Sequence, residues 1–143
     1  MGAGIFFGCM PRKMLKSSSL RGIEIDNLTS RLAKMLYPSA YIENIGFEKS
    51  AVADNYYDLV ISNIPFGQNS IGKYKIHNYF FANGIDKVRP GGLMVFITSQ
   101  ASLSSNSREA MKMREYLNAK ADLIAAYKLP EGTFSEAGTG RNI

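Results

Sequence analysis

The sequence is poor in the residues that staple small folds or hold metals. Among 143 residues it has one cysteine, Cys9, and one histidine, His77. A lone cysteine excludes an internal disulfide, and one cysteine with one histidine excludes a structural zinc cluster. Cysteine usage of this kind predicts a reducing, bacterial cytoplasm. Long apolar runs are also lacking. The opening MGAGIFFGCM is apolar but too short to span a membrane, and it has neither the charged flank nor the cleavage pattern of a signal peptide. No membrane partner is expected. With no internal repeat, low-complexity tract or linker, residues 1–143 are predicted to form one domain.

What is present is an apolar content of 45%, enough for a real core if every strand of the fold is there, and an excess of base. Lysine and arginine number 17 against 12 acids, for a net charge of +5. This suits a polyanionic partner such as DNA and equally describes many ordinary domains.

Apolar β-rich runs alternate with helical patterns, which predicts an α/β fold with a mostly parallel sheet. Residues 20–25 read as a strand. Asp26 or Asn27 can then cap a helix in which Leu28, Leu32, Met35 and Leu36 form an apolar stripe until Pro38 stops it. A short strand is expected at 40–43 and a doubly buried one at 57–62 (YDLVIS). A helix follows from His77 to Val88 with Phe81, Ile85 and Val88 on one face. Arg89-Pro90-Gly91-Gly92 breaks it before a strand at 93–98. Ser107 can cap a last helix carrying Ala110, Met113 and Leu117, and residues 122–129 read as a third strand-like run.

Two stretches bear on chemistry. Asn63-Ile64-Pro65-Phe66 sits at the carboxyl end of a buried strand, the edge where open α/β sheets bind ligands; it is also an ordinary turn sequence. Gly2, Gly4 and Gly8 are followed by Glu24 at a strand end, 20 residues after Gly4. An acid at that distance suits the ribose hydroxyls of an adenosine cofactor, and it can equally be a solvated acid. The glycine spacing is GxGxxxG rather than the GxGxxG of dinucleotide sites. His77 is expected to make a local hydrogen bond at its helix end, and Cys9 to pack in the core.

Ser62-Asn63-Ile64-Pro65-Phe66-Gly67 resembles the Asn/Asp-Pro-Pro-aromatic motif of amino-methyltransferases that act on adenine. MGAGIFFG, RGIEID, YDLVISNIPFGQ, IHNYFFANGIDKVRPGGLMVFITSQ and AAYKLPEGTF together resemble the methylase segment of very large bacterial proteins, often carried on mobile elements. In those proteins an adenine-specific methylase is joined to a Swi/Snf-type helicase. The resemblance implies a Rossmann-like fold that uses S-adenosyl-L-methionine to methylate the exocyclic amine of adenine in DNA. It assigns the amine contacts to Asn63 and the Ile64 carbonyl, loop shape to Pro65 and base stacking to Phe66. It assigns cofactor contacts to Gly2, Gly4, Glu24, Phe47 and Glu48. Ile64 departs from the motif, where proline is usual, and Gly46 stands where an acid is usual.

The resemblance further implies an incomplete domain, lacking the central first strand and the final hairpin strand beyond residues 138–143. Strand 20–25 is then expected to pair directly with strand 57–62, or an oligomer to fill the gap. Partners expected are DNA and the rest of a larger methylase/helicase polypeptide. Two alternatives stand beside this reading. One is an inactive remnant that only binds nucleic acid or a partner, and the other is a protein glutamine methyltransferase.

Overall fold

In the computed structural model, which describes residues 1–67 and 70–134, the chain divides into two units, Met1–Val52 and Ala53–Ile143. The first unit opens with two short helices, α1 (Ile5–Gly8) and α2 (Arg12–Ser17). Strand β1 (Arg21–Ile23) then pairs in parallel with β2 (Tyr41–Glu43), placing Gly22 opposite Ile42. The intervening helix α3 (Asn27–Leu36) begins where expected, because the Asp26 carboxylate accepts the Thr29 N–H at 2.8 Å.

The face that α3 buries was not expected. Ser30 and Ala33 are its buried residues, while Leu28 and Met35 remain 65% and 79% exposed. The small side chains bring the helix close to the strands, and at about 100° per residue the leucine stripe then points the opposite way.

In the second unit β3 (Tyr57–Asn63) runs parallel to β6 (Val88–Ile97), with Leu59 opposite Leu93 and Asn63 opposite Ile97. Between them lie a small antiparallel hairpin, β4 (Ser70–Ile71) with β5 (Tyr74–Lys75), and helix α4 (Ile76–Lys87). The break at Arg89-Pro90-Gly91-Gly92 is a bulge inside β6. Tyr57 pairs with Val88 and Leu59 with Leu93, and Gly91 takes a positive φ of 78°. Val88 thus belongs to the strand, not to the helix face expected for it. One sheet face is covered by α4, whose Phe81 meets Phe96 edge-on at 5.5 Å. On the other, Ile61, Leu93 and Val95 are exposed. Helices α5 (Ala101–Ser104) and α6 (Arg108–Asn118) follow, and the Ser107 hydroxyl accepts the Ala110 N–H to cap α6 as expected.

The expected Rossmann-like, mostly parallel sheet is not formed. The described residues make three separate two-stranded sheets, two parallel and one antiparallel. β1 pairs with β2 and β3 with β6, so the direct pairing of the first and third of these strands is not among the ladders. Residues 122–129 form no strand; Leu123 and Tyr127 there are 73% and 86% exposed. An apolar β-branched run specifies an extended chain, but its partner is a non-local choice that the run does not encode. Residues 138–143, on which the missing-hairpin expectation rests, lie outside the described residues. Among the described residues no helix is long and apolar enough to cross a membrane.

Candidate functional site

Because β3 and β6 are parallel and end in register, the chain leaves both at the same sheet edge. Asn63 is exposed there, and the backbone turns away at Ile64. The Ile64 N–H still donates to the Ile97 carbonyl at 3.0 Å, and its side chain is fully buried. Ile64 therefore anchors the loop by burial and by a ladder bond that proline could not make. Pro65 is exposed and Phe66 half-buried. The Phe66 ring lies tilted against His77 and Phe134, with centroids 6.0 and 6.4 Å away.

His77 stands in the first turn of α4, and its Nδ1 is 3.1 Å from Thr98 Oγ1, just past β6. Thr98 Oγ1 in turn lies 2.9 Å from Ser102 Oγ. This contact is tertiary, joining the start of α4 to the end of β6. These groups flank an open cleft of about 150 Å³, lined among others by Lys75, Ser99, Ser105 and Ser107. An exposed ion pair from Lys75 Nζ to Glu109 Oε2, 2.8 Å long, joins two of its lining residues. The cleft thus presents hydroxyls, one imidazole and an ammonium paired with a carboxylate, with the Phe66 ring beside the imidazole; the hydroxyls and the ammonium can donate hydrogen bonds to anionic oxygens. The His77–Thr98–Ser102 chain was missed in the sequence. Its signal was the serine-rich stretch at 99–107 directly after a parallel strand, the same edge logic that singled out Asn63.

The residues expected to bind the cofactor, Gly2, Gly4, Glu24, Phe47 and Glu48, all belong to the first unit, whereas Asn63, Ile64, Pro65 and Phe66, expected to be catalytic, belong to the second. Glu24 Oε2 accepts the Gly2 N–H at 2.7 Å and the chain-terminal ammonium at 3.0 Å, and Oε1 accepts the Asp26 N–H at 3.0 Å. Burial alone raises the Glu24 pKa. The Asp26 N–H, the ammonium and the Gly2 N–H together outweigh it and hold the carboxyl below its ordinary range. Gly4 is buried at a φ of 92°, and a Cβ there would stand 2.5 Å from the Tyr37 ring. Phe47 and Glu48 fall in a 3-10 turn (Phe47–Lys49), half-buried and exposed respectively, with the Glu48 carboxylate curled over Gly46.

Both Glu24 oxygens are engaged by the chain itself, and the face that Gly4 leaves open is filled by Tyr37. Cys9 is exposed instead of packed in the core. Among the described residues no group of three or more His, Cys, Asp or Glu is placed to hold a metal.

Taken by its architecture, the second unit is a small βαβ element with a polar, aromatic-rimmed edge. No known protein family matches the chain, and no solved structure matches it. It is similar to the Defense against restriction protein B of Escherichia phage P1, 29% identical over 149 residues. The match covers 96% of this chain and 6% of the phage protein, so the chain spans a small part of the length of that relative. This overturns the expected identity as an adenine-specific DNA methyltransferase and the reaction that went with it. The relative is named for defence against restriction and not for methyl transfer. A tetrapeptide at a strand end is a short signal, and the structure gives its second residue an anchoring role.

Proposed function

We propose that this chain serves in the defence of DNA against restriction, and that the edge carrying Asn63, Phe66 and His77 meets the DNA. The observation that carries the reading is the similarity to the phage protein over 96% of the chain. The local chemistry supports it. Phe66 offers a half-buried ring for stacking, and Lys75, Ser99 and Ser107 offer donors to phosphate oxygens. A net charge of +5 favours the encounter with a polyanion.

The test has two parts. Fluorescence anisotropy with a labelled duplex and a labelled single strand should give binding that weakens as salt rises. Phe66→Ala should lower affinity by roughly tenfold, the size of one lost stacking contact. A duplex pre-incubated with the chain should then be cut more slowly by a restriction endonuclease. Binding indifferent to salt and to Phe66→Ala, or an unchanged cutting rate, contradicts the proposal.

A further inference from the structure

Helix α2 carries three cations and no acid. Pro11 starts it, its carbonyl accepting the Leu15 N–H at 2.9 Å, and Ser17 Oγ closes the last turn on the Lys13 carbonyl at 3.0 Å. Arg12, Lys13 and Lys16, at i, i+1 and i+4, share one face of this short helix and are all exposed. No acid occurs in residues 1–23. The carboxylates of the first unit are placed elsewhere: Glu24 takes amide N–H groups, Asp26 caps α3, Glu43 pairs with Arg21, and Glu48 lies over Gly46. Lys75, Lys87, Arg89 and Lys120 each meet a carboxylate, but among the described residues Arg12, Lys13 and Lys16 do not. Like charges at this spacing weaken a helix, and a cation leaves water only for a compensating anion. The face therefore suits a partner that brings negative charge.

We infer that α2 is a second DNA contact, in which Arg12, Lys13 and Lys16 pair with backbone phosphates without reading the bases. The inference rests on DNA being the partner, and not on the Phe66 edge. A phosphodiester backbone asks only for closely spaced cations, and the release of its counterions drives the contact. A lipid surface is the poorer partner. An interfacial helix buries a broad apolar face, whereas α2 offers only Met14, 43% exposed, and a half-buried Leu15. An acidic protein is poorer too, because protein interfaces draw their energy from well-packed, desolvated anchors, and Met14 and Leu15 point away from the cations.

The test measures the affinity of the full chain for a labelled duplex by fluorescence anisotropy across a salt series. The triple variant Arg12→Gln/Lys13→Gln/Lys16→Gln should make the slope of log affinity against log salt shallower by roughly 2–3, about one phosphate per side chain. The loss should be the same on duplexes of unrelated sequence. Phe66→Ala should lower affinity and leave the slope in place, which separates this contact from the edge of the second unit. The control Lys49→Gln/Lys112→Gln/Lys128→Gln removes the same charge from exposed positions outside α2 and should leave the slope near the parent's. If the parent binds DNA and the α2 variant keeps its slope, the inference falls while DNA stands as the partner; if the parent binds no DNA, both fall. Slopes reduced equally by the two triple variants would assign the effect to net charge. A lower melting temperature in the α2 variant, with the slope unchanged, would assign the cations to a contact within the chain. Binding to anionic vesicles that the α2 variant loses, with DNA affinity unchanged, would assign them to lipid. Each of these last three results also overturns the inference.

Discussion

The Ile64 N–H donates to the Ile97 carbonyl across 3.0 Å, while the Ile64 side chain is fully buried. The residue that departs from the motif is therefore the last rung of the β3–β6 ladder. Proline at this position would delete a donor and replace a buried isoleucine with a smaller ring.

The expected consequence is that Ile64→Pro destabilises the second unit. The lost hydrogen bond costs about 1 kcal/mol, and the lost packing adds to it. Ile64→Ala should cost about 2–5 kcal/mol by burial alone. Urea unfolding measures both. An Ile64→Pro variant as stable as the parent would show that the ladder bond contributes nothing.

Gly84 lies buried on α4 against β6, and a Cβ there would stand 2.6 Å from Phe96 Cζ. In an exposed helix interior, glycine to alanine gains up to about 1 kcal/mol. Here the sign should reverse, with Gly84→Ala costing about 1–3 kcal/mol through overpacking. Trimming the ring in the double variant Gly84→Ala/Phe96→Leu should show a coupling between the two sites. Strict additivity would place the strain elsewhere.

Ser30 sits on the buried face of α3, and its hydroxyl has no hydrogen-bond partner among the described residues. An unsatisfied buried hydroxyl is costly and alanine is the better helix former, so Ser30→Ala should stabilise the first unit by about 1 kcal/mol. A higher melting temperature is the expected result; a loss of stability would mean that the hydroxyl is bonded in solution.

Glu24 has a folded-state pKa held below its ordinary value of 4.5. For such a group the stabilising contribution is present above the unfolded pKa and is lost as pH falls through the folded one. The Gly2 and Asp26 amide resonances should therefore titrate together, with a midpoint below 4.5. In Glu24→Gln that titration should vanish, along with this part of the acid sensitivity of the first unit. Midpoints at or above the ordinary glutamate value would contradict the hydrogen-bonded arrangement.

Local signals were legible in the sequence and non-local ones were not. Asp26 and Ser107 announced their helices because a capping side chain acts within one turn. The continuous apolar runs and the period-3.6 pattern located β3, α4 and the second half of β6. The pairing of β1 with β2 alone, the bulge at Arg89 to Gly92 and the unpaired state of residues 122–129 depend on partners remote in sequence. The stripe on α3 was seen, but its direction was inverted, because Ser30 and Ala33 permit a closer approach than leucines would. In the site, the strand edge was found from Asn63, whereas the link from His77 to Thr98 joins residues 21 apart in sequence and carries no local signature.

The central claim is tested most directly by replacing the matching segment of the phage relative with this chain and plating the phage on restricting and non-restricting hosts. The account predicts that the chimera plates on the restricting host nearly as well as the parent phage. It also predicts that the same chimera carrying Phe66→Ala loses efficiency there, and only there. A chimera that is restricted as heavily as a phage lacking the protein, although the polypeptide accumulates normally, would contradict it.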